Sequence, residues 1–112
     1  MDPKSRTGNR TPLPVRRALG NVADSVSTWR RLRGLTQAQL AERAGVSRGV
    51  ARRLEAGDGG VSVENLLRIL RALGIHELLT EALEPMNSDI GRLRAEEHLP
   101  VRVRPRQLGD DG

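Results

Sequence analysis

The feature that most limits the fold is a two-residue connection between two helical segments, in the stretch LTQAQLAERAGVSRGVARRLEAG. Thr36 begins a capping-box spacing, and Ser47 is a suitable N-cap for the second segment. The predicted helices, 36–44 and 47–56, are therefore separated only by Gly45 and the valine after it. Helices joined so closely must diverge sharply, and glycine readily adopts the positive φ that the turn requires. This arrangement predicts a helix-turn-helix motif.

The segment before the motif has the periodicity of one long helix. Pro14 suits a first helical turn, and Gly34 suits the position after the last turn. Apolar residues at spacings of three and four form one stripe between them: Val15, Leu19, Val22, Val26, Trp29 and Leu32. The stripe predicts a core-facing helix with Trp29 in the core. Gly20 marks either a weak point in this helix or a later start, near Asn21.

Two more predicted helices follow the motif. Ser62 caps the first and Gly74 ends it, and Pro85 ends the second. With one Trp and no Phe or Tyr, the core must be aliphatic, which suits packed helices better than a β-sandwich. The predicted fold is an all-α, five-helix helix-turn-helix bundle formed by residues 14–84.

The two ends of the chain lack this pattern. Residues 1–13 are polar, basic and without periodicity, and we interpret them as a flexible arm. Residues 85–112 contain a segment that Ser88 is placed to cap as a short helix, followed by VRVR at 101–104. The alternation in VRVR is typical of a strand, and a lone strand must pair to be ordered. The C-terminal segment is therefore either a disordered tail or a short strand for dimerisation or partner binding.

The second motif helix has a concentrated basic face. Arg48, Gly49, Arg52 and Arg53 fall on one side of it, and no acidic residue precedes Glu55 in this helix. The arginines therefore have no acidic partner on their own face and are available to an anion. Arginine can donate two hydrogen bonds to guanine O6 and N7 in the major groove, and the glycine permits a close approach. The pattern predicts contact with DNA, and the alternative is an ordinary solvated face.

The net charge of +5 is concentrated at the N-terminal end of the chain. Residues 1–17 contain five basic residues and one acidic residue, a net of +4, so the remainder is nearly neutral. The basic face of the motif is therefore a local feature. Charge alone does not separate a nucleic acid from an acidic protein as the partner.

The motif resembles the helix-turn-helix of the Cro/phage-repressor-like family, often called the XRE family. The matching positions are Gln37, Ala41, Gly45, Ser47 and the pair Glu55-x-Gly57. The resemblance covers roughly residues 18–79 and implies a repressor-like fold that binds double-stranded DNA. It also implies action as a two-fold dimer. Leu78, Leu79 and Leu83 are surplus leucines late in the chain, and they are either core residues or dimer contacts.

The resemblance implies a role for each matching residue. Gln37 is expected to contact a phosphate and support the recognition helix, and Ser47 is expected to contact the DNA backbone at that helix's N-terminus. The base-reading positions are those of Arg48, Gly49, Arg52 and Arg53. The structural residues are Arg30, Ala41, Gly45 and Glu55, with Arg30 expected to pair with Glu55.

A second resemblance concerns the phrase LRALGIHELL, followed by LEP. It is similar to small antitoxins of the HipB type, which are encoded beside a HipA-like kinase toxin and repress their own operon. In those proteins the C-terminal segment forms a strand in the dimer or reaches the toxin. Two alternatives remain open: a stand-alone repressor without a toxin, and a protein-binding module that places its basic helix on an acidic partner.

The sequence has no pattern typical of catalysis, a cofactor site or a metal site. It has no cysteine, no nucleotide-binding loop and no Ser-His-Asp set, and its two histidines stand apart. No apolar run reaches the roughly 18 residues that span a membrane, and the N-terminus lacks the apolar core of a signal peptide. We therefore expect a cytoplasmic protein that is not an enzyme, binds no membrane and needs no cofactor.

Overall fold

The computed structural model describes residues 10–99. Within them lie six α-helices and no strand, which confirms the all-α prediction. The helices are α1 (Leu13–Leu32), α2 (Gln37–Ala44), α3 (Arg48–Glu55), α4 (Val63–Ala72), α5 (His76–Leu83) and α6 (Asp89–His98). The chain divides into two compact units, one ending at Glu77 and the other beginning at Leu78. The strand predicted at 101–104 and most of the predicted arm, residues 1–13, lie outside the described residues.

Polar caps and a left-handed glycine define the helices of the motif. Thr36 Oγ1 accepts the Gln39 backbone N–H at 3.0 Å, and the Gln39 side chain accepts the Thr36 N–H at 2.9 Å, so the predicted capping box is present. Ser47 and Ser62 cap α3 and α4 in the same way, each accepting the N–H three residues ahead. Gly45 adopts a φ of +73° in the turn between α2 and α3, a conformation that glycine adopts without steric cost.

The core of the first unit is aliphatic. α2 packs against α3 and α4, and α1 packs against α3. The buried apolar residues are Ala23, Val26, Leu35, Leu40, Ala41, Ala44, Ala51, Leu54, Ile69, Leu70, Leu73 and Ile75. Burial of each leucine or isoleucine contributes roughly 1.5–3 kcal/mol. The alanines in α2 and α3 are small enough to let these two short helices approach closely.

The inward face of α1 differs from the predicted stripe. The helix is continuous through Gly20, so a start near Asn21 is wrong. Ala23 and Val26 are buried, whereas three members of the stripe are exposed: Val15 (48%), Val22 (38%) and Leu32 (71%). The apolar residues of α1 cover a wide arc, and α3 and its neighbours cover only one part of it.

Trp29 is partly exposed, so the prediction that it lies in the core was wrong. The Arg33 guanidinium lies over its ring, 5.4 Å from the centroid, in a cation–π arrangement. Arg33 also donates its Nε–H to the Leu73 carbonyl at 3.0 Å. Trp29 therefore lies at the edge of the core, beside the arginine that joins the end of α1 to the end of α4.

The second unit contains the end of α5, a 3-10 turn at Pro85–Asn87, and α6. Ser88 Oγ accepts the Gly91 N–H at 2.9 Å, so the predicted cap of a short helix is present. None of the described residues from Leu78 to Leu99 is buried. The exposed large apolar residues of this unit are Leu78, Leu83, Met86, Ile90, Leu93 and Leu99. Leu78 and Leu83 are therefore not core residues of the described chain.

Candidate nucleic-acid interface

The three arginines of α3 are on its exposed side. Arg48, Arg52 and Arg53 are exposed, whereas Ala51 and Leu54 are buried against the bundle. The helix is only eight residues long, and its buried side holds it in place. α3 therefore presents a basic surface from a position set by packing.

The arginines differ in their partners. No acidic side chain pairs with Arg48 or Arg52 among residues 10–99, whereas Arg53 Nε lies 3.7 Å from Asp58 Oδ2. The prediction that all three arginines lack a partner was therefore wrong for Arg53. An exposed pair of this length is worth at most about 1 kcal/mol, so it leaves Arg53 available to a stronger anion. Asp58 follows the helix in the sequence, so the charge pattern within the helix does not reveal this partner.

The N-terminus of α3 is open on its outer side. Ser47 Oγ accepts the Val50 N–H at 3.1 Å and retains its own hydroxyl hydrogen for another acceptor. A Cβ added to Gly49 would have its nearest neighbours at ordinary contact distances, 3.6 Å from Arg53 Nη1 and 3.7 Å from Ser47 Oγ. The fold therefore does not require glycine at this position, although a partner that approaches closely would.

An ion pair joins the end of α3 to α1. Arg30 Nε donates to Glu55 Oε2 at 2.7 Å, and Arg30 Nη2 donates to Glu55 Oε1 at 3.0 Å. Arg30 Nη1 also donates to the Leu35 carbonyl at 2.9 Å. This is the forked geometry in which arginine and a carboxylate bind most strongly. The structure thus brings Arg30 and Glu55 together as the resemblance implies.

Gln37 joins the same network from α2. Its Nε2 donates to Glu55 Oε1 at 3.2 Å, which orients the side-chain amide. The amide keeps one N–H and its carbonyl oxygen for other partners. Gln37 therefore contacts α3 through Glu55, and its contact with a phosphate stays a prediction.

The environment of Glu55 stabilises its charged form. The side chains of Arg30 and Glu55 are only 15% and 6% exposed. Burial works to raise the pKa of Glu55, but hydrogen bonds from Arg30, Gln37 and Ser27, together with the charge of Arg30, outweigh it and hold that pKa below the usual value of 4.5. The same hydrogen bond and charge raise the pKa of Arg30, although burial opposes this. The pair is therefore fully ionised at neutral pH.

The two small structural residues lie where α2 and α3 meet. Ala41 is 2% exposed, and Gly45 forms the left-handed turn between the helices. A Cβ on Gly45 would lie 3.2 Å from Arg68 Nη1, the end of a half-exposed side chain, so the main cost of a larger residue is the strained positive φ. Residues of α1, α2 and α3 thus hold the exposed arginines on one rigid support.

Between residues 10 and 99, no group of three or more His, Asp or Glu side chains is placed to hold a metal ion. None of the helices in this range is long and apolar enough to cross a membrane.

A comparison with protein families gives a match to the central part of the chain. The family model described as helix-turn-helix matches residues 26–79, which include all of α2, α3 and α4. The match begins inside α1, so the first half of that helix lies outside it. No curated protein and no solved structure matched the chain.

Proposed function

We propose that this protein represses transcription by reading a specific double-stranded DNA sequence. Residues 26–79 are a helix-turn-helix domain of the XRE-like family. Domains of this family bind DNA in transcription regulators and are non-enzymatic. The reading element is α3, which lies in the major groove. A regulator of this kind acts in the cytoplasm, beside its operator.

The observation that carries this proposal is the exposed basic face of α3 on a rigid support. Arg48 and Arg52 project from a helix whose far end is held by Glu55, and neither has an acidic partner in the described residues. A forked arginine–guanine contact contributes about 1–3 kcal/mol of discrimination against other bases. Ser47 and Gln37 are placed at the two helix starts, where backbone phosphates approach.

The experiment is selection of bound duplexes from a random pool, followed by measurement of affinity for the selected sequence. Arg52→Ala should weaken binding to that sequence by about 1–3 kcal/mol and relax the preference at one base pair. Arg71→Ala is the matched control, because Arg71 is an exposed arginine of α4 without an acidic partner among residues 10–99. It should leave the preferred sequence unchanged.

Two outcomes would contradict the proposal. If no sequence is enriched over random duplex, the protein does not read DNA, and an acidic protein becomes the expected partner of α3. If Arg52→Ala weakens binding equally on every sequence, Arg52 contacts phosphate and not a base.

The repressor acts as a homodimer that buries the apolar residues of the second unit. The support for this proposal is that Ile90, Leu93 and the other large apolar residues of this unit are exposed, although isolated helices of this length are marginal in water. A dimer would place two α3 helices about 34 Å apart, one turn of DNA. Ile90→Asp with Leu93→Asp should give a monomer by light scattering, whereas unchanged mass would place the interface elsewhere.

The finer role is that of a HipB-like antitoxin, supported by the phrase LRALGIHELL and its position after the motif. The partner would be a HipA-like kinase toxin, bound through residues 100–112. A kinase-like gene next to this one, and co-purification of its product, would support this role. Without such a neighbour the protein is a stand-alone repressor, and deletion of residues 100–112 would leave its activity unchanged.

A further inference from the structure

The first half of α1 is an addition to the helix-turn-helix domain. α1 has 20 residues, and the family match begins only at residue 26. Residues 13–25 therefore extend the helix by about 20 Å at 1.5 Å per residue. A helical extension of this length can carry side chains well past the end of the domain.

This extension packs against the loop that follows α3. A Cβ added to Gly59 would lie 3.0 Å from Leu19 Cδ1, so the leucine side chain fills the space above that glycine. A Cβ on Gly57 would lie 3.9 Å from the Leu19 carbonyl oxygen, which puts the helix backbone at the same loop. The position of the extension relative to α3 is therefore set by direct contact.

The loop also touches the basic face of α3. Asp58, which lies between these two glycines, pairs with Arg53 at 3.7 Å. Leu19 thus contacts Gly59, the residue next to Asp58, and Asp58 pairs with an arginine of the basic face of α3. The middle of the extension therefore lies against the loop that carries the partner of Arg53.

The extension is basic beyond this contact. Arg16 lies three residues before Leu19, on the same side of the helix, and Arg17 is next to it. Both are exposed, neither has an acidic partner among residues 10–99, and Asp24 is the only acid in α1. Arg16 and Arg17 are the fourth and fifth residues of α1, where a positive charge gains nothing from the helix dipole.

We propose that the first half of α1 is a second DNA-contacting surface, in which Arg16 and Arg17 bind backbone phosphates beside the bases that α3 reads. This inference rests on the proposed function, because it assigns the extension to the same duplex. DNA is favoured over an acidic protein because the duplex continues past α3 with a regular row of phosphates. The contact adds affinity without sequence preference.

The test is the salt dependence of binding for Arg16→Ala/Arg17→Ala, using the duplex selected by the wild-type protein and a random duplex of equal length. The slope of log K against log salt is negative for DNA binding. Loss of two phosphate contacts should make it less steep by about 1.8 per protomer. Affinity for both duplexes should fall by the same factor. The melting temperature should stay at or slightly above that of the wild type, because an unfavourable charge near the helix N-terminus is removed.

The controls separate this inference from the function on which it rests. Arg71→Ala should leave the salt slope unchanged, and Arg16→Gln/Arg17→Gln should reproduce the alanine result with side chains that favour helix. An unchanged slope in both double variants, with the wild type still selecting its sequence, would overturn the inference alone. Failure of the wild type to prefer any sequence would instead overturn the proposed function.

Discussion

Replacement of Gly49 by alanine separates the needs of the fold from the needs of DNA binding. Gly49 is the second residue of α3, and an alanine Cβ there would meet only Arg53 Nη1 at 3.6 Å and Ser47 Oγ at 3.7 Å. Both are ordinary contacts, so the fold accepts the methyl group. If Gly49 faces the bases as proposed, the same methyl group would lie between α3 and the DNA and weaken the complex.

The expected gain in stability follows from the backbone. Glycine in a helix costs roughly 0.5–1 kcal/mol relative to alanine, because the unfolded chain loses more conformational freedom. For a chain of this size, 1 kcal/mol corresponds to about 4–8 °C in melting temperature. Gly49→Ala should therefore melt about 2–8 °C above the wild type.

Gly49→Ala should weaken DNA binding although it stabilises the fold. A methyl group inserted into a well-packed contact typically costs about 1–3 kcal/mol, which is a factor of roughly 5 to 140 in Kd. Arg71→Ala is the control for affinity, because Arg71 is an exposed arginine of α4, outside both proposed DNA-contacting surfaces. It should keep the wild-type Kd.

The assays are calorimetric unfolding and titration of the selected duplex at one fixed salt concentration. Two results would refute the reasoning. A stabilised Gly49→Ala with wild-type affinity and sequence preference would show that Gly49 does not lie at the DNA surface. A destabilised Gly49→Ala would show that the space around this glycine is not open.

Three further predictions concern stability. Because folding lowers the pKa of Glu55, this residue contributes its full stabilisation of the fold above its ordinary pKa of 4.5, and the contribution is lost as pH falls through the folded pKa. Denaturant titrations of Glu55→Gln should show a lower free energy of unfolding than the wild type at pH 7, and a weaker dependence of that free energy on pH below about 4.5. Gly45→Ala and Gly34→Ala should each cost roughly the 1–2 kcal/mol of a left-handed alanine in the same unfolding assay. Gly34 has no nearby atoms, and the atom nearest a Cβ on Gly45 is the end of the half-exposed Arg68 side chain, which can move. A Cβ on Gly91 would overlap the Pro85 carbonyl, so Gly91→Ala should rearrange the turn before α6. The change should shift the amide resonances of residues 84–92, and unshifted resonances would contradict this packing.

Much of the motif follows from local chemistry. The cap at Thr36 and the turn at Gly45 both depend on residues within a few positions of each other, so their spacing in the sequence is sufficient to predict them. The same is true of the exposed arginines of α3, because the helical period puts them opposite the apolar residues. The pairing of Arg30 with Glu55 is different, since these residues are far apart in the chain and only the family resemblance suggested it.

The remaining features depend on how the helices pack. The apolar arc of α1 is wide enough to offer several inward faces, and the contact with α3 selects the one containing Ala23 and Val26. That choice leaves Trp29 at the edge of the core, and the same packing places Leu19 on the loop after α3. The sequence by itself determined the helices and their ends, because those depend on hydrogen bonds between near neighbours. Only the tertiary structure decided which helix faces meet and which charges lie beside the reading helix, because contacts between distant residues depend on the positions and crossing angles of whole helices.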